Sequence, residues 1–308
     1  MLGLRCAGAS VFALIVFCCS SIHAGVIRSD VADSNYLSLG ASPAYASAGK
    51  ITFGSNSDWA SGVLVADDWI LTAAHVVRSN AIYNTPGNVL FTVGGNTYTA
   101  DQIVLNPGYV SATPENGNDL ALVHLSSVVS NVTPVALYTG SSEVGQIGTF
   151  VGYGKTGNGT TGVDVNSTAQ LRGGTNAIDL TGDQFSSTYS SNILLSDFDS
   201  PTDPSYSSWG SSTPTPLEYL PADKDSGSGL YINVSGTTYL AGIVSFALLN
   251  NDNISFGYGD GIAAARVSSQ IAWIKSQGVP ELSSGVMTAI GFGAFFIGSS
   301  VVRRRSAA

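Results

Sequence analysis

Apolar positions in this chain fall into short runs separated by turn residues, and few of the runs are long enough for a helix. Gly62-Val63-Leu64-Val65 and Trp69-Ile70-Leu71 read as two buried strands around the turn Ala66-Asp67-Asp68. Ile51-Thr52-Phe53 opens the series, and Val89–Val93, Thr97–Ala100 and Ala121–Leu125 continue it between Gly-Gly and Asn-Pro-Gly breaks. The second half repeats the habit at Gln146–Gly152, Asn192–Leu195, Gly229–Asn233, Thr238–Ser245 and Gly261–Ala265. Short strands at close spacing predict an all-β fold of barrels or sandwiches rather than alternating βα units. The exception is Val267–Lys275, where Val267, Ile271 and Ile274 recur at helical spacing beside Trp273. Residues 25–48 read as an irregular lead-in. Asp197–Pro216, rich in Ser, Pro and Asp, reads as a long surface loop of the kind that shapes access to a site.

The two ends follow other patterns. Arg5, the apolar run Val11–Cys19 and small residues to Ala24 make residues 1–24 a secretory signal. All three cysteines (Cys6, Cys18 and Cys19) lie inside it, so the exported chain is expected to fold without disulfides. Leu282 to Val302 carries no charge and is followed by Arg303-Arg304-Arg305, which predicts a membrane-spanning helix with a cytoplasmic C-terminus. Composition narrows the field further. With 308 residues the chain can bury a large core. A formal charge of −9 argues against nucleic acid as a partner. No His, Asp and Glu cluster has ligand spacing, so neither a metal nor an organic cofactor is expected.

Candidate chemistry sits in three stretches. Asp223-Lys224-Asp225-Ser226-Gly227-Ser228-Gly229 places a serine in a turn of small residues, where backbone N–H groups can converge on a developing oxyanion. His75 ends Trp69-Ile70-Leu71-Thr72-Ala73-Ala74-His75, at the edge of a buried strand, a position suited to a general base. Asp119 precedes the apolar strand Leu120–Leu125, where a carboxylate is costly unless a group such as an imidazole N–H donates to it. Each stretch alone also fits an ordinary turn or a hydrogen-bonded histidine. Ser228 is a rival to Ser226, and His124, within its strand, reads as solvent-facing and without an evident duty.

Taken in order, the three stretches resemble the chymotrypsin/trypsin-like serine proteases, over roughly Ile51 to Gln277. The order His, Asp, Ser is that of this family and not of subtilisins or α/β-hydrolases. The resemblance implies two perpendicular six-stranded β-barrels, roughly residues 50–140 and 141–266, with a C-terminal helix at 267–277. It further implies Ser226 as nucleophile, because that serine directly follows its aspartate, with His75 as base and Asp119 as the orienting carboxylate. The N–H groups of Lys224 and Ser226 would form the oxyanion hole. Leu220 would be the base of the specificity pocket, favouring a small or apolar side chain. Gly242-Ile243-Val244-Ser245-Phe246 would pair with a polypeptide substrate, giving Ser245 and Phe246 substrate contacts. Asp225 would be a structural acid, met by a freed amine at Gly25 or by another partner.

The departures are also informative. Lys224 stands where the family has glycine, and a residue with a side chain resists the unusual φ needed there. A weak or inactive binding module on the same fold is therefore the alternative reading, and a structural surface protein with coincident motifs is a third. Val279-Pro280-Glu281, the apolar run and the arginines resemble a PEP-CTERM sorting tail, with Leu282 in place of a second proline. That resemblance implies residues 279–308 as a tail handled by an exosortase-like partner in a Gram-negative envelope, with residues 25–278 as the exported domain.

Overall fold

The computed structural model describes residues 25–54, 56–78, 85–250 and 254–280. The expected signal at 1–24 and span at 282–302 lie outside them. Among the described residues no helix is long and apolar enough to cross a membrane.

The expected irregular lead-in is in fact structured. Strand β1 (Gly25–Ile27) and helix α1 (Asp33–Gly40) precede a 3-10 turn at Pro43–Tyr45. Neither has much local signal. Val26 and Tyr36 are wholly buried against the second half of the molecule, so tertiary contact orders the segment.

Six strands then close a barrel. They are β2 (Ala48–Phe53), β3 (Asn56–Ala66), β4 (Trp69–Thr72), β5 (Val89–Val93), β6 (Asn96–Leu105) and β7 (Ala121–Leu125), in the order β2-β3-β4-β7-β6-β5 with β5 returning to β2. In β5 the buried Val89, Phe91 and Val93 alternate with half-buried Leu90 and Thr92, the period of two that one inward face requires. The short helix α2 (Ala74–Arg78) follows β4 directly.

The second half differs from expectation. Strands β8 (Ala136–Leu137), β9 (Ile147–Gly152), β10 (Thr156–Asn158), β11 (Gly162–Asp164), β12 (Arg172–Ala177) and β13 (Leu180–Thr181) come first, followed by helix α3 (Gly182–Phe185). Then come β14 (Ile193–Asp197), β15 (Tyr219–Leu220), β16 (Gly229–Val234), β17 (Thr237–Leu248) and β18 (Gly261–Arg266). Seven of them run in the open order β12-β9-β16-β17-β18-β14-β13, with β8 beside β17. This is a half-barrel, not a second closed six-stranded barrel. A separate sheet, β11-β10-β1-β15, draws in the N-terminal strand. Pieces such as Arg172-Gly173-Gly174-Thr175-Asn176-Ala177 lack any apolar alternation, which is why pattern alone missed them.

The chain ends in a 3-10 turn (Val267–Gln270) and helix α4 (Ile271–Ser276). Their Val267 and Ile274, with Tyr231, Leu240 and Ile243 of the half-barrel, join the same buried cluster as the barrel residues Leu64, Leu71 and Leu122. One core thus runs under both halves and fixes the cleft between them.

Candidate active site

Strand register brings His75 and Asp119 together. Strands β4 and β7 are antiparallel, with Thr72 opposite Ala121. Residues just after Thr72 and just before Ala121 therefore leave the sheet at the same end. The Asp119 carboxylate accepts the His75 backbone N–H at 2.9 Å through Oδ1 and lies 2.6 Å from the ring Nδ1 through Oδ2. The carboxylate is 2 % exposed and the imidazole 37 %. One member is shielded and the other can be reached, the division a carboxylate-oriented base needs.

Ser226 comes from the half-barrel, between β15 and β16. Its Oγ lies 2.7 Å from His75 Nε2. Its carbonyl accepts from Ser61 N of β3 at 3.0 Å, and the N–H of Gly227 donates to Val244 of β17 at 2.9 Å. Gly227 has φ of 84°, and a Cβ there would stand 2.1 Å from the Ser61 carbonyl oxygen and 2.2 Å from Thr72 Oγ1. Only glycine lets the serine turn press this closely on the barrel. Ser228, the rival serine, is 1 % exposed, and its hydroxyl has no hydrogen-bond partner among the described residues.

Ser245 supplies an interaction that sequence reasoning missed. It sits at an irregularity where β17 gains one residue on β18, between Val244 and Phe246. A bulge of this kind re-aims a side chain. The Ser245 hydroxyl donates to Asp119 Oδ2 at 2.5 Å. Burial alone would raise the Asp119 carboxyl, but hydrogen bonds from His75 and Ser245 outweigh it and hold the group below its ordinary range.

Asp225 points away from the cleft and pins the turn from beneath. Wholly buried, its carboxylate accepts from Gly154 N at 2.8 Å and Ala222 N at 3.0 Å. Burial pushes it up to about 7 despite these bonds. Lys224 takes the left-handed conformation, with φ of 72°, that its side chain was expected to resist. Such a conformation costs roughly 1–2 kcal/mol for a residue with a Cβ. Among the described residues no hydrogen bond takes up the backbone N–H of Lys224 or Ser226.

The remaining predicted residues are more dispersed. Leu220 is wholly buried in the second core, with its strand paired to β1. The cleft of about 440 Å³ at Ser226 is lined instead by Phe53, Asp58, Trp59, His75, Lys155 and Lys224, among others. Phe246 borders a second groove, of about 420 Å³, with Phe185, Tyr189 and Trp209. His124 is not idle. Its Nδ1 lies 2.6 Å from Asp101 and its Nε2 3.3 Å from Asp68, with the ring edge-on to Trp69. Among the described residues no cluster of three or more His, Cys, Asp or Glu is arranged to hold a metal.

Comparison with known proteins points to one family. A family profile described as Trypsin matches residues 40–199, a span that contains His75 and Asp119 and ends before Ser226. Over 113 residues (32% of the chain, 16% of the relative) the chain is 34% identical to the complement C1s subcomponent of Sus scrofa. Over 114 residues (again 32% and 16%) it is 32% identical to a calcium-dependent serine proteinase of Mesocricetus auratus. Trypsin-1 of Salmo salar is 28% identical over 118 residues, 37% of this chain and 48% of that one. The aligned stretches thus span less than half the length of each of these relatives.

Proposed function

Since the chain belongs to the trypsin family of serine proteases, we propose that it is an endopeptidase cleaving polypeptides through Ser226, His75 and Asp119. The observation that carries this reading is the unbroken relay from Asp119 Oδ2 to His75 Nδ1 at 2.6 Å and from His75 Nε2 to Ser226 Oγ at 2.7 Å. Its three members come from three separate stretches of the chain.

In this mechanism Ser226 Oγ attacks the peptide carbonyl while His75 Nε2 takes the hydroxyl proton. Asp119 stabilises the imidazolium and fixes the tautomer. The oxyanion would accept from the N–H groups of Lys224 and Ser226, which no hydrogen bond among the described residues takes up. His75 then passes the proton to the leaving amine, and water hydrolyses the acyl-enzyme. Strand β17, which carries Ser245 and Phe246, would run beside the substrate backbone, while Leu220, buried in the second core, sets no side-chain preference in this cleft. A fluorophosphonate probe tests the core of the proposal. Labelling of the wild type that disappears in Ser226→Ala is expected. An unlabelled, folded wild type would instead favour the silent binding module, the reading that Lys224 in a glycine's place keeps open.

The exported form begins at Gly25 in this reading, after removal of residues 1–24. Gly25 N lies 2.5 Å from the Lys155 carbonyl, beside Gly154, whose N–H holds Asp225. A freed amine there would neutralise a buried carboxylate and firm the serine turn. Residues 279–308 would serve as the sorting and membrane tail, processed by an exosortase-like enzyme of a Gram-negative envelope. Retention of a chain lacking residues 279–308 at the envelope would refute that part.

A further inference from the structure

Lys224 poses a physical problem. Its neighbours are tied down on both sides: the Asp223 carbonyl accepts from Lys155 N at 2.6 Å, and Asp225 is anchored by Ala222 and Gly154. Between these anchors residue 224 holds φ of 72°, a conformation that glycine adopts freely and lysine does not. Some other contact must offset that preference. The Lys224 side chain crosses the cleft to the barrel, where its ammonium pairs with Asp58 Oδ1 and lies 5.9 Å from the centre of the Trp59 ring. Both partners are themselves fixed. Asp58 Oδ1 accepts from Trp59 N at 3.0 Å, and the Trp59 indole donates to the Tyr153 carbonyl at 2.6 Å.

Building on the protease reading, we infer that Asp58 is a positioning residue, whose ion pair across the cleft holds residue 224 in the left-handed conformation that aims its N–H at the oxyanion. Glycine would meet the same need by lacking a side chain, whereas here a tether does so. The ion pair joins the two halves of the molecule at the cleft wall, so it also couples their separation to the shape of the oxyanion site. Lysine and aspartate are each about a third exposed (33% and 28%), so dissolved salt reaches the pair. Asp58 itself does not touch the reacting atoms.

The test uses the acylation burst with p-nitrophenyl acetate, a small ester, measured on the exported domain carrying its native N-terminus. Asp58→Asn is expected to slow acylation about tenfold with little change in KM, short of the 10²–10³ that loss of a whole oxyanion donor costs. In a Lys224→Gly background, whatever its own rate, the same Asp58→Asn change is expected to have no further effect. A role confined to folding would slow both backgrounds alike, and that result overturns the inference. Ionic strength gives a second measurement that needs no variant at Asp58. Raising salt to about 1 M should slow acylation in the wild type but not in Lys224→Gly, and equal responses also overturn it. A wild type with neither burst nor fluorophosphonate labelling removes the protease reading and this inference with it. An active wild type indifferent to Asp58→Asn removes this inference alone.

Discussion

At the scale of single residues, Ser245 and Gly227 make the most specific demands. Ser245 adds a third hydrogen bond to a carboxylate that is almost wholly buried. Removing that donor leaves one acceptor site of Asp119 unsatisfied and loosens the imidazole it orients. Ser245→Ala is expected to lower kcat about tenfold, close to 1.4 kcal/mol, with KM nearly unchanged. Steady-state kinetics would show this, and a fall in KM alone would contradict it. Gly227→Ala is a harsher change, because the new methyl meets the Ser61 carbonyl and Thr72 Oγ1 at once. The serine turn must then back away from the barrel. Displacement of about 1 Å typically costs about 10² in rate, so near-complete loss of hydrolysis is expected, with a lower melting temperature by calorimetry.

At the scale of elements, His124 joins the turn between β3 and β4 to strand β6. Its hydrogen bond with Asp101, together with the nearby charges of Asp101 and Asp68, raises its pKa above the ordinary value. For a histidine with a raised folded pKa, the added stability is fully present below the unfolded value of about 6.5 and is lost as pH rises through the folded value. The wild type should therefore lose melting temperature relative to His124→Gln as pH climbs from about 6 toward 8. Parallel curves for the two proteins would show that the link contributes nothing. Strand β1 is a second case. Additional residues left in front of Gly25 would keep a charged amine from the neighbourhood of Asp225. The expected result is a folded protein with lower kcat, read by activity before and after trimming to Gly25.

At the scale of the whole molecule, buried acids set the balance with pH. Burial is the largest cause at each, and it pushes Asp179 up to about 8, Asp199 to about 6, Glu218 to about 8 and Asp225 to about 7. Neighbouring carboxylates add to the rise at Asp179, Asp199 and Glu218. Between the unfolded value of about 4 and these folded values the native state binds more protons than the unfolded chain. Stability should therefore fall as pH rises across about 4 to 8. Asp119 and Glu143, both held low, act in the opposite direction, and their contribution is lost only below about pH 4. A mildly acidic optimum in melting temperature follows. Glu218→Gln should raise the melting temperature at pH 8 by roughly 2–4 °C, and a wild-type curve climbing steadily to pH 8 would rule the account out. Since residues 25–308 contain no cysteine, a reducing agent should leave the melting temperature of the exported domain unchanged.

The sequence alone determined what depends on local pattern and on motifs in order. It indicated the short strands of the first barrel, the all-β class, and the succession of His75, Asp119 and Ser226, because alternation and turn residues act over a few neighbours. Tertiary structure decided the rest. The open half-barrel, the recruitment of β1 and the burial of Leu220 depend on partners distant in the chain, and strands such as Arg172–Ala177 carry no periodic signal of their own. The need for an unusual φ at residue 224 was legible, but that Lys224 adopts it, with its side chain crossing to Asp58, was not. A residue's φ and the reach of its side chain are fixed by what surrounds it, and those surroundings exist only once both halves have closed on a common core.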